Sequence, residues 1–515
     1  MVGQETHTGN PTRWRALAIL VLAQFLLVLD DMVVNIALPS IQRDLDFTAH
    51  GLVWVVDGYV LAYGGLLLLG GRATDIFGRR RVFVGGLIVF GAASLASGLA
   101  VSEEMLIAAR VLQGIGAAAA SPAALALVVT MFTDQGERAK ALGIWGAAAG
   151  LAGTFGVLLS GVITDLADWR WIFFINVPII AVVLVLAPAI LPKARRGEGT
   201  FDLLGAVTLT GSTVALVYGL LNASKEGWGA NTLVTFGIAM LLFAAFVVVE
   251  RRMPNPLVRL GFFRHRTRAA GYLGLALVSA TVFTMLFLLT LYLQRVLGYA
   301  PLQAGLCYTV LTVALLASVT NTSKLIKRFG LRNVMVTGAL VAAAGTAYLS
   351  QVPLSGNFFV HVAPGMVLFG VGVGWCLVPT QMLGTTDADA TNEQGLASGL
   401  LTGSMQIGGA LGLAALVAAG AGWSARYAAA GASAGEVQVA TTEFALLAST
   451  GVLVAVSVLT ALLLGKRQEP KRPQDESVPP SSAPESSGPE GSFPESKETW
   501  SARLDALDEH LDARR

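Results

Sequence analysis

Residues 70–81 read Gly70-Gly71-Arg72-Ala73-Thr74-Asp75-Ile76-Phe77-Gly78-Arg79-Arg80-Arg81. An apolar run at 51–71 leads into this string and another at 82–100 leads out of it. Each run is near the ~20 residues that a helix needs to cross the hydrocarbon core of a bilayer. The string is therefore a short charged connection between two long apolar helices. Gly71 and Gly78 permit the tight reversal. Asp75 can accept hydrogen bonds from helix-terminal N–H groups or from a nearby arginine. A basic loop that only oriented the chain would need the arginines but neither Asp75 nor the glycines.

The same reading extends in both directions. Ala16–Leu38 is a further apolar run, preceded by Arg13 and Arg15. No small-residue cleavage site follows it and Asp30 and Asp31 interrupt it, so it reads as a retained first span rather than a signal peptide. Further spans are expected at 105–132, 140–164, 170–191, 203–223, 231–250, 269–293, 301–323, 334–352, 359–383, 394–420 and 443–464, fourteen in all. Bulk composition agrees. The 515 residues are 54% hydrophobic and 13% charged, against roughly 25% charged in a soluble domain, and the mean hydropathy is +0.66. Such a chain cannot cover its surface with polar groups, and lipid is the expected solvent. The net charge of +2 gives no reason to expect nucleic acid. Cys307 and Cys376 lie inside apolar runs, and with no CxxC pair or other clustered ligands no metal site is expected.

An even number of spans puts both termini on one side. With the N-terminus inside, the inside segments hold Arg13 and Arg15; Arg72, Arg79, Arg80 and Arg81; Arg138 and Lys140; Lys193, Arg195 and Arg196; Arg251, Arg252, Arg259, Arg264, Arg266 and Arg268; Lys324, Lys327, Arg328 and Arg332; and Lys466, Arg467, Lys471 and Arg472. The outside segments hold Arg43, Arg170, Lys225, Arg295 and Arg426. Twenty-five against five satisfies the positive-inside rule along the whole chain, and a missed span in the middle would scramble it. Both termini are expected to be cytoplasmic and the location is the cell membrane. Residues 465–515 read as a disordered cytoplasmic tail, rich in Pro, Ser, Glu and Lys over 469–500, and in Ser501–Arg515 Leu504, Leu507 and Leu511 are spaced for a short amphipathic helix.

The 70–81 string resembles the signature loop of the major facilitator superfamily of transporters. That resemblance implies that Gly71, Asp75, Gly78, Arg79 and Arg80 latch the two halves together on the cytoplasmic side. A weaker echo, Lys324, Lys327, Arg328, Phe329, Gly330, Leu331 and Arg332, suggests an internal repeat, with Lys327 where the first loop has Asp75. Arg110-Val111-Leu112-Gln113-Gly114-Ile115-Gly116 is similar to a signature of proton-coupled members. Gly146, Gly150, Gly153, Gly156, Ser160 and Gly161 suit close helix packing; their position resembles the glycine-rich signature of antiporters, without its usual proline. Trp169-Arg170-Trp171-Ile172-Phe173-Phe174-Ile175-Asn176-Val177-Pro178 and Leu29-Asp30-Asp31-Met32-Val33-Val34-Asn35-Ile36-Ala37-Leu38-Pro39 resemble strings of the fourteen-helix drug:proton antiporter branch, the antibiotic exporters of actinobacterial type. Asp31 replaces a more usual small residue. The resemblance runs from about residue 14 to 465. It implies an all-α membrane protein of the major facilitator fold: a cytoplasmic N-terminus (1–15), a six-helix half (16–191), two extra helices (203–250), a basic cytoplasmic loop (251–268), a second six-helix half (269–464) and the tail.

Three carboxylates lie within spans, Asp30, Asp31 and Asp57, and intramembrane acids are functional candidates by default. Ionisation in an apolar helix is costly, so one of them can bind and release a proton, as antiport requires. Arg110 is the basic residue well inside a span and their natural counter-charge; its alternative is snorkelling to the headgroups. The alternatives for Asp30 and Asp57 are an outer-end cap and a wetted vestibule residue that recognises charge. Candidate walls of a cavity between the halves are Trp54, Tyr59, Tyr63, Gln113, Trp145, Tyr292, Trp375, Gln381, Met382, Met405 and Gln406, since aromatics and methionines suit flat, apolar, variable ligands, although each can equally be helix packing. The expected function is proton-driven efflux of amphipathic small molecules by alternating access, with no cofactor beyond the proton motive force, by a monomer. The Ala- and Gly-rich composition suggests a GC-rich bacterium, where export of a self-made antibiotic is a natural setting. A facilitator or importer of a metabolite is the alternative; it would want a dedicated polar pocket in both halves. A membrane enzyme is a remote one, since no HExxH, Walker loop or GxSxG is present.

The register makes a direct prediction. Reporter fusions after Arg196 and Arg266 should read cytoplasmic and one after Trp228 external. An external reading at Arg266 would contradict the fourteen-span register.

Overall fold

The structure, a computed structural model, describes residues 11–132, 134–192, 202–226, 229–253, 258, 265–385 and 393–464. The expectations for residues 1–10, for most of the 251–268 loop and for the 465–515 tail lie outside the described residues. Every regular element among these is helical: α1 (Pro11–Asp44), α2 (Ala49–Phe77), α3 (Arg79–Gly98), α4 (Glu103–Met131), α5 (Gln135–Leu166), α6 (Trp171–Phe174), α7 (Asn176–Ile190), α8 (Leu203–Glu226), α9 (Ala230–Arg252), α10 (Arg266–Leu291), α11 (Pro301–Phe329), α12 (Leu331–Leu349), α13 (Ala363–Gly384), α14 (Glu393–Ala429) and α15 (Ala434–Leu463). Single π turns at Tyr292–Val296 and Phe358–Val362 extend α10 and α13. Twelve spans among the described residues are long and apolar enough to cross a membrane, thirteen with α5, which bends by 41° around residues 153–158. The remaining expected span coincides with α12, whose 19 residues make about 28 Å of helix and carry the polar pair Arg332 and Asn333 in the first turn.

Side chains cap the starts of these helices where the apolar runs break. Thr48 accepts from the N–H of Gly51, Ser102 from Met105, and Asp134 from Glu137, and Ser433 with Glu436 forms a reciprocal capping box. Between α2 and α3 the chain reverses on a single residue, Gly78, at φ 92°, and between α11 and α12 on Gly330, at φ 80°. A side chain would be strained at either. The internal echo therefore has a structural counterpart. It extends two residues further. Arg80 donates to the carbonyl of Leu191 at the end of α7 (3.3 Å), and Arg332 to that of Ala461 near the end of α15 (2.8 Å). In each half an arginine two residues past the reversal ties the last helix to the turn and satisfies an orphan helix-terminal carbonyl.

Small residues set the packing. A Cβ on Gly116 of α4 would stand 2.6 Å from the backbone nitrogen of Phe90 and 2.7 Å from the carbonyl oxygen of Gly86 on α3. In the second half Gly372 of α13 faces Ala342 and Gly338 of α12 in the same way. The halves meet along three seams. Gly64 of α2 abuts Gln406 of α14, Gly161 of α5 abuts Pro301 and Leu302 of α11, and Gln294 beyond α10 donates to the carbonyl of Ile36 on α1 (2.8 Å). The extra pair α8–α9 lies against α2 and α14, where Gly65 receives the side chain of Thr210.

Overpacking a close backbone crossing typically costs 1–3 kcal/mol. Gly116→Val should therefore lower the thermal midpoint of the detergent-solubilised protein by several degrees. Gly85→Val on α3, where a Cβ would meet nothing within 4 Å, should leave it unchanged. Equal midpoints for the two variants would show that the α3–α4 approach does not limit stability.

Candidate functional site

Asp30 lies in the middle of α1, and burial there leaves an ionised carboxylate only protein groups to bind. Helices α4 and α7 supply them, and α3 supports the donors. Arg110 Nη1 of α4 donates to Asp30 Oδ2 at 2.6 Å. Gln113, one turn along α4, donates to Asp30 Oδ1 at 3.0 Å, and Asn176 at the start of α7 donates to the same oxygen at 2.7 Å. Asp30 and Gln113 are 0% exposed and Arg110 is 1% exposed. Arg110 completes its shell with the backbone carbonyl of Val55 (Nε, 3.0 Å) and the side-chain Oε1 of Gln113 (Nη1, 3.0 Å) and lies 4.5 Å from the ring centroid of Tyr59. Gln113 also donates to Ser94 and accepts from Ser97, both on α3. The result is a dry ion pair with nearly every donor and acceptor engaged. Arg110 does not snorkel, and Asp30 caps no helix end.

Asp57 on α2 is 0% exposed, and neither of its oxygens has a hydrogen-bond partner among the described residues. It lies two turns before Gly64 on the face of α2 turned to α14. At 0% exposure it is not the wetted vestibule residue that is its alternative reading. Asp31 is half-buried on the other side of α1 from Asp30, with Gln406 of α14 beside it. The Gln406 amide is 1% exposed and makes no hydrogen bond among the described residues. The three acids therefore occupy three settings: one paired, one facing the opposite half, one buried alone.

The candidate cavity walls divide in the same way. Trp54, Trp145, Trp375 and Met405 are half-buried, and Gln381 and Met382 are exposed at the loop-side end of α13. Gln113 and Tyr59 belong to the ion-pair network rather than to a wall, and the Tyr59 hydroxyl donates to the carbonyl of Leu27. Tyr63 donates to Ser121, which donates to Gln24, a second buried chain joining α2, α4 and α1. Tyr292 is fully buried and donates to the carbonyl of Pro353, so it braces the far end of the second half. An apolar groove of about 530 Å³, lined by Trp14, Leu17, Ala18, Val21, Leu22, Phe25 and Ile144, runs between α1 and α5.

In the loop string, Asp75 is exposed, Thr74 folds back onto the carbonyl of Gly71, and Arg80 holds Leu191 within its own half. At the opposite end Asp44 accepts from Arg170 (2.6 Å) and from the indole of Trp169 (3.2 Å), which gives the Trp169–Trp171 string a clasp function. Asn176, Ser94 and Ser97 were not singled out from sequence. Asn176 falls within the 169–178 string, which carries a family resemblance as a whole, and isolated serines in apolar helices carry no signal until the helices are placed together.

The pattern of the Major Facilitator Superfamily matches residues 20–413. The chain is 38% identical over 473 residues to the puromycin resistance protein of Streptomyces alboniger, covering 89% of this chain and 93% of that one. It is 37% identical over 469 residues to the cephamycin export protein of Amycolatopsis lactamdurans, covering 90% and 94%. Among solved structures it is similar to an autoinhibited peptide transporter of the POT family, at TM-score 0.65 and 13% identity over 89% of this chain and 99% of that one. It is also similar to a bacterial homolog of the human lysosomal transporter Spinster in an inward-facing, unoccupied conformation, at TM-score 0.64 and 16% identity over 88% and 97%. At those identities the two structures speak for the fold alone. The chain belongs to the Major Facilitator Superfamily.

Proposed function

We propose that this protein exports amphipathic small molecules of the antibiotic class across the cell membrane in exchange for entering protons. The observation that carries the reading is the Asp30–Arg110 pair buried inside the first half. Relatives named for resistance to puromycin and for export of cephamycin supply the direction and the substrate class.

Breaking a buried ion pair by neutralising one partner costs about 3–5 kcal/mol, so a proton cannot add to Asp30 without consequence for α1, α4 and α7. A proton entering down the membrane potential gains about 2.3 kcal/mol per 100 mV. That is enough to drive a rearrangement when it is combined with substrate release. Asp57 offers a second acceptor. An ionised carboxylate without partners is costly to bury, so closing the α2–α14 seam favours its protonated form and parting the seam returns it to water. Asp31 and Gln406 face each other across the halves and are suited to sense a cationic or hydrogen-bonding substrate. Export thus needs no cofactor: proton and substrate compete through the same small set of acids. A dedicated importer would present charge in both halves. The buried charged groups well inside the described spans, Asp30, Asp57 and Arg110, all belong to the first.

Asp30→Asn keeps size while removing the titrating group. In everted vesicles it should cut puromycin-induced proton release by at least about tenfold, equivalent to about 1.4 kcal/mol on the limiting barrier, while binding of neutral compounds by the purified protein is retained. Asp31→Asn should mainly weaken export of cationic compounds. Proton release by Asp30→Asn at the wild-type rate would move the coupling site to Asp31 or Asp57.

A further inference from the structure

Away from this site the structure buries a second pair of acids. Asp202 immediately precedes α8 and is 2% exposed; Glu250, near the end of α9, is 4% exposed. Each uses one carboxyl oxygen locally. Asp202 Oδ1 accepts from the backbone of Gly205 (2.8 Å), and Glu250 Oε2 accepts from the backbone of Val258 (3.2 Å). The other two oxygens, Asp202 Oδ2 and Glu250 Oε1, are buried with no hydrogen-bond partner among the described residues. They converge on one point. A Cβ on Gly205 would stand 2.6 Å from Asp202 Oδ2 and 2.9 Å from Glu250 Oε1, so only a glycine leaves both oxygens room, and their separation cannot exceed the sum of those distances.

The charged groups on the elements around the pair do not neutralise it. Arg251 and Arg252 point to solvent at the end of α9. Arg72 of α2 and Arg268 of α10 each have an interaction, but neither donates to the two orphan oxygens. The described ion pairs include none to either acid. Tyr272 of α10 donates its hydroxyl to the carbonyl of Gly384. Two unpartnered carboxylate oxygens in one dry place repel each other, and one proton between them removes both the repulsion and the two orphan acceptors.

The geometry points to a proton-binding site formed by Asp202 and Glu250, in which a single shared hydrogen bond joins the base of α8 to the base of α9 and thereby fastens the segment at Val258. Val258 is 5% exposed and packs with Ala206, Phe246, Tyr272, Leu275 and Leu401, which come from α8, α9, α10 and α14. The proton would thus hold the extra helix pair to the second half through one backbone bond and one apolar side chain. Loss of the proton leaves two like charges in contact, and Glu250 swings out and frees Val258. The site assigns the extra pair a pH-sensitive docking role separate from the Asp30 network.

Cysteine labelling tests it on the full-length protein. Cys307 and Cys376 are replaced by alanine and Val258→Cys is introduced, then maleimide reaction rates are measured across pH after correction for the thiolate fraction. Corrected labelling should be slow on the acid side and rise at least about tenfold on the alkaline side, an opening difference of about 1.4 kcal/mol. Glu250→Gln supplies from its amide the hydrogen that the proton supplied, and should keep labelling slow at every pH; Asp202→Asn should do the same from the other side. Glu250→Ala should label fast at every pH. Corrected labelling independent of pH without an acid substitution, or Glu250→Gln behaving like Glu250→Ala, overturns the proposal. Protection on the alkaline side by added sodium, potassium or calcium also overturns it, because the occupant would then be a cation rather than a proton.

Discussion

A carboxylate and a guanidinium 2.6 Å apart and sealed from water are held by contacts with four helices at once. Desolvating the two charges is expensive, and their attraction offsets that cost only if geometry and remaining hydrogen bonds are both good. This requirement shapes the first half. It explains why Gln113 follows Arg110 by one turn, why Asn176 opens α7, and why Ser94 and Ser97 face inward from α3. It also asks for close helix approach, which Gly114 and Gly116 provide on α4. Polar glue and small-residue packing are thus two aspects of one constraint, as expected where lipid gives helices little hydrophobic reason to associate.

The second half has the same frame with a different interior. Gly330 repeats the reversal of Gly78, and Arg332 repeats the carbonyl clamp of Arg80. The loop echo therefore preserves backbone function while the side-chain chemistry diverges: Lys327 stands opposite Asp75, and the buried interior of α10–α15 is furnished with threonine, serine and glutamine hydroxyls and amides. Among the described residues, the buried charges well inside the spans lie in the first half, and the spans of the second half bury neutral polar groups. The α2–α14 seam is where they meet, with Asp57 enclosed and Gln406 beside Asp31. The extra pair leans on that same seam.

Much of this was legible in the sequence, for identifiable reasons. Hydropathy is a sum over some twenty residues, so the spans are robust, and α12 tests weakly only because Arg332 and Asn333 fall inside its window. A charge inside an apolar run is conspicuous, so Asp30, Asp57 and Arg110 stood out individually. What sequence could not give was which of them touch. The same limit applies to neutral partners: Asn176, Ser94 and Ser97 look like any other small polar residue until α1, α3, α4 and α7 converge. Aromatics misled for a related reason. Tyr59 and Tyr292 suit a ligand wall by chemistry, but each hydroxyl finds a backbone carbonyl and each ring is buried. Asp202 and Glu250 escaped notice because both lie at helix ends, where a carboxylate is ordinary; only burial makes them unusual.

In the proposed function, proton entry through the carboxylates of the first half drives substrate out. The most direct measurement uses purified protein in proteoliposomes with an imposed pH gradient and a fluorescent amphipathic cation such as ethidium. Dye should accumulate against its own gradient, moving opposite to the protons, and collapse of the pH gradient by an uncoupler should abolish the accumulation. Dye movement that only equilibrates, with the same rate and extent in the presence and absence of the gradient, would contradict it.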